Sequence, residues 1–407
     1  MTTTARRSRK RDVPAPPPAT GWHLSDILCF FTLLAVPFGQ VAIGDAQSRL
    51  PLPLLLIPLV LALADGALGS LQIRLSGRRD VGTGLLTAAT VAVVVMALPL
   101  VAHAPRPSAL LAFVQFATGT VGGAYLGTRW RARRERRSGV DAGLMGFALI
   151  TIGGVASIGL ANPSLSGFHQ AVVLPWGGSN YVAGVLVVTA FALWSRREQI
   201  GRITPVVCAA AIVMALLTLS RGALLAVGAG ALVMIWTAGR TPGARFLLRA
   251  LSVLVVYGGQ LVLTSVTNAR SIGGYDPSVN VDARFVLYEV AWKEFLSSPL
   301  FGTGWLTMRD TNPLGYPISY AHNVVLSFLQ IGGMSGIIYL AILGVIAWRG
   351  WRRTPALRPA VASALAISMT DPFFESTVAA VIAWTVLTAA ALGDTQIAQK
   401  AVRGRLR

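Results

Sequence analysis

Charged residues and cysteines are scarce in this sequence. Only 13% of the 407 residues are charged, whereas a soluble domain carries about 25%. Both cysteines, Cys29 and Cys208, lie inside apolar runs, so neither a disulfide nor a metal site is expected. The sequence shows no glycine-rich phosphate loop of the ATPase type and no metal-spaced cluster of His, Cys and Asp. These features argue against a soluble enzyme, a secreted disulfide scaffold and an ATP-driven pump, and they predict no cofactor.

Long apolar runs are abundant instead. Hydrophobic residues make up 54% of the chain, and its mean hydropathy is +0.63. The runs are about 17–25 residues long, which is enough for a helix to cross a bilayer, and they predict an all-α polytopic membrane protein with about twelve transmembrane helices. The predicted spans are 27–43, 52–73, 84–103, 108–128, 140–160, 180–195, 204–219, 222–239, 246–265, 321–348, 359–371 and 377–393.

The two ends of the chain are polar and basic. Residues 1–21 hold a cluster of Arg and Lys followed by a proline-rich stretch, which predicts a disordered cytoplasmic tail. Residues 22–393 form the predicted transmembrane domain. Residues 394–407 form a second basic tail, also predicted to be cytoplasmic.

The distribution of basic residues predicts the orientation. The net charge is +19, and most Lys and Arg residues lie in the tails and in short loops such as 74–83, 129–137 and 349–358. By the positive-inside rule these loops and both termini of the predicted multi-pass membrane protein are cytoplasmic. The positive charge is therefore a signature of topology, and we expect membrane lipids rather than nucleic acid as partners.

Residues 266–320 form the one long loop on the predicted extracytoplasmic side, and function is expected there. Within it, residues 281–297 predict a helix that Asp282 caps and Pro299 ends. This helix lies on the membrane surface or covers a cavity, or its aromatic face simply packs against the rest of the protein. Its apolar face consists of Phe285, Tyr288, Trp292, Phe295 and Leu296.

Two arginines on the predicted outer side are candidates for binding an anion. Arg284 falls in the first turn of the predicted helix, where it either accompanies a bound anion or pairs with Asp282 or another acid. Arg221 lies in an apolar hairpin between two spans, where it is either functional or snorkels to lipid phosphates. Two guanidinium groups on one face of the membrane suit a pyrophosphate.

One histidine stands out as a candidate general base. His322 lies where the long loop meets the next span, and it is either a base or a structural residue. His169 is a weaker candidate, and His103 is expected at the membrane interface. Among the carboxylates, Asp65 lies inside the second span, where it is either functional or protonated and inert. Asp371 and Glu375 mark the last outer hairpin, on the side of the arginines.

Four stretches together resemble the O-antigen ligase and O-antigen polymerase superfamily, mainly over residues 175–376. They are GSNYVA at 178–183, LTLSRGALL at 217–225, Arg284 with Trp292 and PLFGTG at 299–304, and His322-Asn323 followed by GMSG at 333–336.

This resemblance implies a fold like that of C-type glycosyltransferases. Members move a glycan from a polyprenyl-pyrophosphate carrier to an acceptor hydroxyl on the outer face of the membrane, without metal or nucleotide. By the same resemblance, Arg221 and Arg284 would hold the pyrophosphate, and His322 would accept or orient the acceptor's proton. Direct attack would invert the anomeric centre. The expected partners are the polyprenyl-pyrophosphate-linked glycan donor and a glycan or lipid acceptor.

Besides the arginines and His322, three polar residues are candidates for substrate binding, namely Asn180, Asn323 and Glu375. The main alternative is a transporter, such as a flippase of a polyprenyl-linked glycan, which should line a central cavity with charges on several helices. A purely structural membrane protein explains neither Arg221 nor the segment around His322.

Overall fold

The computed structural model describes most of the predicted transmembrane domain. It also includes isolated residues within 56–67 and 241–265, and Phe168. The continuous described ranges are 23–38, 40–43, 45–51, 81–103, 106–132, 138–164, 171–238, 277–314 and 318–393. The predictions for Asp65, His169 and the two tails lie outside the described residues.

Helices dominate the described residues. In chain order they are α1 Leu24–Ala35, α2 Val81–Val95, α3 Leu98–Ala102, α4 Pro107–Ala132, α5 Gly139–Ala161, α6 Ser179–Trp194, α7 Arg197–Ile200, α8 Thr204–Leu217, α9 Arg221–Ala238, α10 Pro277–Ser297, α11 Met308–Thr311, α12 Val324–Gly332, α13 Met334–Arg353, α14 Arg358–Ser368 and α15 Thr377–Leu392. Short 3-10 turns follow α1 at Val36–Phe38 and precede α14 at Pro355–Leu357.

Five described helical segments are long and apolar enough to cross a membrane. These are Val81–Ala102, Pro107–Arg131, Gly139–Ala161, Arg221–Ala238 and Met334–Arg353. Shorter apolar helices lie at Leu24–Phe38, Ser179–Trp194, Thr204–Leu217 and Thr377–Leu392. This architecture supports an all-α membrane protein, while the number of twelve spans stays a prediction.

Two small antiparallel hairpins interrupt the helices. Strand β1 (Gln40–Ile43) pairs with β2 (Asp45–Pro51), and β3 (Val173–Leu174) pairs with β4 (Gly177–Gly178). The prediction of a span over 27–43 is therefore wrong at its C-terminal end. Helix α1 gives way to a 3-10 turn that contains Pro37, and proline removes a backbone donor that a continuing helix needs.

The predicted span 321–348 is two helices instead of one. The break is Gly333, whose φ is 56°, a left-handed conformation that favours glycine. After it, α13 folds back against α12. Gly336 packs directly on the carbonyl of Phe328, with no room for a side chain, and the rings of Phe328 and Tyr339 lie 4.2 Å apart.

The helix that carries Arg284 starts earlier than predicted. It begins at Pro277, and proline is favoured in the first helical turn because its missing N–H needs no partner there. Asp282 is therefore inside α10 and does not cap it. Arg284 lies about two turns into the helix, so the prediction that it sits in the first turn is wrong.

Glycines allow α4 and α15 to pack closely. Gly119, Gly123 and Gly127 recur every four residues, and a Cβ added at any of them would collide with α15. Small residues at this spacing let two membrane helices approach backbone to backbone. Because α15 follows the hairpin 369–376, this contact helps to fix that hairpin within the bundle.

A buried ion pair joins α5 to the end of α6. Arg196 donates to both carboxylate oxygens of Asp141, over 2.8 and 3.1 Å, and the Trp130 indole donates to the same carboxylate over 2.6 Å. Asp141 also caps α5 together with Ser138. Both charges are compensated by charge-assisted hydrogen bonds, as buried charges require.

Candidate functional site

Asp371 occupies the centre of the candidate site. It follows α14 in the hairpin that leads to α15, and only 1% of its surface is exposed. Its backbone N–H donates to the carbonyl of Ile367 over 3.0 Å, which continues the end of α14. The Thr370 hydroxyl donates to its Oδ2 over 3.1 Å. The carboxylate is thus held in one orientation.

Three side chains from distant parts of the chain converge on the other carboxylate oxygen. Asn180 Nδ2, in the first turn of α6, lies 3.2 Å from Asp371 Oδ1. Arg284 Nη2 of α10 lies 3.5 Å away, and His322 Nδ1 lies 3.6 Å away. Only the amide makes a hydrogen bond of usual length, so the guanidinium is held mainly by the negative charge, and the imidazole lies just beyond hydrogen-bond distance of the same oxygen.

The Ser-Arg-Gly segment lies directly against Asp371. Helix α8 ends at Leu217, Leu219 has a φ of 53°, and the Ser220 hydroxyl accepts from the N–H of Ala223 over 3.2 Å. A Cβ on Gly222 would come within 2.5 Å of Asp371 Oδ2. The break predicted within 204–239 is therefore present, and it brings half-buried Arg221 to the edge of the site.

His322 is held in an unusual backbone conformation. Its φ is 54°, which is uncommon for a residue with a side chain and costs about 1–3 kcal/mol. The side chain is 27% exposed. Its Nδ1 is buried and has no hydrogen-bond partner among the described residues. The ring thus turns one nitrogen towards Asp371 and leaves part of its surface accessible.

Asn323 has a structural role next to His322. Its side-chain oxygen accepts from the N–H groups of Val325 and Leu326 over 3.0 and 3.2 Å, which caps α12. The cap fixes where α12 starts and therefore where His322 is placed. Its predicted role in substrate binding stays a prediction.

The glycine-rich turn after α10 connects the two helices that flank the site. Gly302 and Gly304 have φ values of 66° and 97°, and Gly302 packs on the backbone of Ile331. The N–H of Thr303 donates to the carbonyl of Gln330 over 2.8 Å. The PLFGTG stretch therefore docks the end of α10 onto the end of α12. His103 supports this turn, because its Nε2 lies 2.9 Å from the Gly302 carbonyl oxygen.

Helix α10 has one buried face and one exposed apolar face. Leu287 and Ala291 are buried against Met308 and Ala321. Three large side chains of the predicted apolar face are 47–64% exposed, namely those of Phe285, Trp292 and Leu296. An exposed apolar stripe of this kind favours the interpretation that α10 lies on a membrane surface.

Tyr288 follows Arg284 by one helical turn on α10. Burial raises the pKa of its phenol, while the positive charge of Arg284 lowers it and the carboxylate of Asp371 raises it. Tyr288 therefore lies close enough to both charges to take part in the electrostatics of the site.

Glu375 is buried in the same hairpin as Asp371. Only 1% of its surface is exposed. Burial raises the pKa of this carboxyl to about 8, although the nearby Ser327 hydroxyl lowers it. The predicted role of Glu375 in substrate binding stays a prediction.

Sequence reasoning recognised Asp371 only as a marker of the last hairpin. Its central position depends on the packing of α14 against α6 and α9, which no local pattern reveals. The available signal was an aspartate between two apolar runs, on the side predicted for Arg221 and Arg284. Among the described residues, no group of three or more His, Cys, Asp and Glu side chains could hold a metal ion.

The segment that contains the Ser-Arg-Gly break, Arg284 and His322 also matches a known family. Residues 206–341 match the family model described as O-antigen ligase. The match confirms the resemblance to the O-antigen ligase superfamily, and it supports glycan transfer of the O-antigen ligase or polymerase type in general terms. Arg221, Arg284, His322 and Asn323 lie inside the matched segment, whereas Asn180, Asp371 and Glu375 lie outside it. No curated protein matches the chain.

Proposed function

We propose that this protein transfers a glycan from a polyprenyl-pyrophosphate carrier to an acceptor hydroxyl on the outer face of the cytoplasmic membrane. The reaction is a direct, inverting transfer that needs neither a metal ion nor a nucleotide. The acceptor is another glycan, as in a polymerase, or a lipid-linked glycan, as in a ligase. The observation that carries the proposal is the convergence of Arg284, His322 and Asn180 on the buried carboxylate of Asp371.

In the proposed reaction, the two arginines bind the pyrophosphate of the donor. Arg284 is 26% exposed, so its guanidinium can contact a ligand while it stays paired with the carboxylate of Asp371. Arg221 begins α9 next to the same carboxylate. Guanidinium groups match phosphate oxygens in bidentate geometry and stay charged at any physiological pH.

One bond forms and one bond breaks in the transfer step. The acceptor hydroxyl attacks the anomeric carbon and gives its proton to His322. The new carbon–oxygen bond forms as the bond between the anomeric carbon and the phosphate oxygen breaks. The polyprenyl pyrophosphate leaves with the bonding electron pair, and the arginines stabilise the added negative charge.

Asp371 acts as a positioning residue in this proposal. Its Oδ1 lies nearest to Nδ1 of His322, which leaves Nε2 as the nitrogen for the acceptor hydroxyl. A carboxylate on one ring nitrogen orients the imidazole and stabilises the imidazolium that forms when it takes the proton. The distance of 3.6 Å is compatible with this role, because such hydrogen bonds are often long without substrate.

The arginines provide the test. Transfer from a polyprenyl-pyrophosphate glycan should be measured in vesicles that contain EDTA and no nucleotide. Arg221→Ala and Arg284→Ala should each reduce turnover by about 10²–10³-fold, the usual cost of losing one group that stabilises a developing anion. Lysine should restore little, because a point charge does not reproduce the guanidinium fork.

Arg106→Ala is the matched control. Arg106 is an exposed arginine on the same predicted side, paired with Asp310 over 2.5 Å, and its loss should leave transfer unchanged. Near-normal transfer in both site variants would contradict pyrophosphate binding by Arg221 and Arg284. A flippase would move the glycan across the vesicle membrane and leave it attached to its carrier.

A further inference from the structure

An apolar groove runs along the surface of the bundle between α2 and α13. It encloses about 570 Å³, and among the described residues Arg349 is the single charged residue in its lining. Helix α2 contributes the stretch from Val81 to Ala88, and α13 contributes the stretch from Ala341 to Arg349. The groove is therefore about 12 Å long, at 1.5 Å per helical residue. This length fits within one leaflet of a bilayer whose hydrocarbon core is about 30 Å thick.

Arg349 lacks a counter-charge among the described residues. Its Nε is buried and has no hydrogen-bond partner there. Arg353 follows one turn later on α13, and like charges at this spacing repel. Arg353 donates to the carbonyl of Ala391 over 3.4 Å, and as a second cation it cannot compensate the charge of Arg349. A buried guanidinium nitrogen without a partner is unfavourable unless an anion or a polar group reaches it.

The groove opens towards the end of the bundle opposite the candidate site. Helix α14 links the two ends: it starts at Arg358, shortly after α13 ends, and it finishes at Ser368, three residues before Asp371. Eleven helical residues separate the two ends by about 16 Å. Arg349 and its neighbours on α13 therefore face the leaflet away from Asp371, and a ligand there is distinct from the glycan donor.

We propose that the groove binds an anionic phospholipid from the leaflet opposite the candidate site. One acyl chain lies between α2 and α13, and the phosphate of the headgroup accepts hydrogen bonds from Arg349. The apolar lining fits the chain, and the guanidinium, which lacks a counter-charge among the described residues, selects a headgroup with net negative charge. A zwitterionic lipid lacks that net charge, and inorganic phosphate lacks the chain.

Two variants test the headgroup contact and the acyl-chain contact separately. Arg349→Gln removes the charge and keeps a long polar side chain. Gly84→Leu fills the groove and leaves Arg349 in place, because a Cβ on Gly84 meets open space. The matched controls are Arg352→Gln, an exposed arginine that stacks on Trp348, and Gly344→Leu, an exposed glycine of α13 that also has open space around it and does not line the groove.

The full-length protein should be reconstituted in nanodiscs of phosphatidylcholine with a minor fraction of phosphatidylglycerol. Lipids that stay bound are then counted by native mass spectrometry, after gel filtration has shown that each variant is folded. We expect the wild type to retain phosphatidylglycerol in preference to phosphatidylcholine. Arg349→Gln should lower this retention about fivefold, the effect expected of losing one basic residue at a lipid headgroup. Gly84→Leu should also lower it, because its side chain fills the space of the acyl chain, and both controls should retain the lipid as the wild type does.

Four results would overturn the proposal. Equal retention of the two lipids by the wild type would exclude selection by charge. Unchanged retention in Arg349→Gln would exclude the headgroup contact. Displacement of phosphatidylglycerol by equimolar polyprenyl phosphate would show that the groove is a carrier site instead. Inorganic phosphate at millimolar concentration should not displace the lipid, and displacement would show that an anion alone suffices.

Discussion

At the scale of single residues, Asp371 has an unusual balance of charges. A buried carboxylate is costly unless positive charge or hydrogen-bond donors surround it. Here the closest donors are an amide and a hydroxyl, while Arg284 and His322 stay slightly beyond hydrogen-bond distance. Arg284 and His322 therefore lie within the electric field of the Asp371 carboxylate and remain able to turn towards a ligand.

His322 provides the first prediction at this scale. His322→Ala should reduce turnover by about 10²–10⁴-fold, the usual range for a lost general base, while binding of the donor changes far less because both arginines remain. Turnover and donor binding should be measured separately in vesicles. His103→Ala is the matched control, since His103 contacts the Gly302 carbonyl and should affect turnover only mildly. Unimpaired turnover in His322→Ala would reject the role of base.

Glu375 provides a prediction about pH. Its carboxyl has a pKa of about 8 in the fold against 4.5 in the unfolded chain, so between these values the folded protein holds a proton that the unfolded chain releases. The free energy of unfolding therefore decreases as pH rises from about 4.5 to about 8, by at most about 1.4 kcal/mol per pH unit. Glu375→Gln should have a flatter profile and exceed the wild type at pH 8.

Thermal melting in detergent at a series of pH values measures this effect. The control is Glu289→Gln, because Glu289 is exposed and its hydrogen bond to Lys293 lowers the pKa of its carboxyl. This control should keep the wild-type dependence between pH 5 and pH 8. If Glu375→Gln and the wild type lose stability in parallel across that range, the carboxyl of Glu375 does not titrate there.

At the scale of elements, tight turns and close packing set the positions of the side chains. Gly302 and Gly333 adopt left-handed conformations where the end of α10 meets the end of α12. Gly222 then brings the first turn of α9 against the hairpin of Asp371. The helices supply the candidate residues, and these glycines determine whether the residues meet.

Gly222→Ala tests this role of packing. The added Cβ would approach the side-chain ends of Asp371, Thr370 and Ile367, which can move more easily than backbone. We expect the variant to fold and to lose turnover by up to about 10²-fold, because small displacements of positioning groups are costly. Gly228→Ala on the same helix meets open space and should keep full turnover, with stability raised by about 0.5–1 kcal/mol. Equal activity of the two variants would contradict the proposed position of Asp371.

Local sequence signals predicted some elements well and failed where distant packing decides. The break at 220–222 was predictable, because this tripeptide is the one polar interruption in a run too long for a single span. The start of α10 was misjudged because Asp282 and Pro277 both fit a helix N-terminus. The turn at Gly333 was missed because the glycine pair 332–333 lies between two apolar stretches that together have the length of a single span. The convergence on Asp371 depends on contacts between α6, α9, α10 and α14, and a one-dimensional pattern does not contain them.

At the scale of the whole molecule, the candidate site and the basic cluster of α13 lie at opposite ends of the helical bundle. Asn180 and Arg221 lie in the first turns of α6 and α9 at the site, and α14 ends there at Ser368. Arg349, Arg352 and Arg353 lie at the other end. From the basic loops, the positive-inside rule predicts that the end with the candidate site faces the outside of the cell.

The orientation is testable by cysteine labelling. Cys29 and Cys208 are both buried, so they can be replaced by alanine to give a background free of thiols. Asp310→Cys, on an exposed position of α11, should react with a membrane-impermeant maleimide in intact cells. Arg352→Cys, exposed at the end of α13, should react only after the membrane is permeabilised, because arginines concentrate on the cytoplasmic side. The reverse pattern would place Asp371 and its neighbours in the cytoplasm. The glycan transfer proposed here would then be wrong, since its donor and acceptor are used on the outer face.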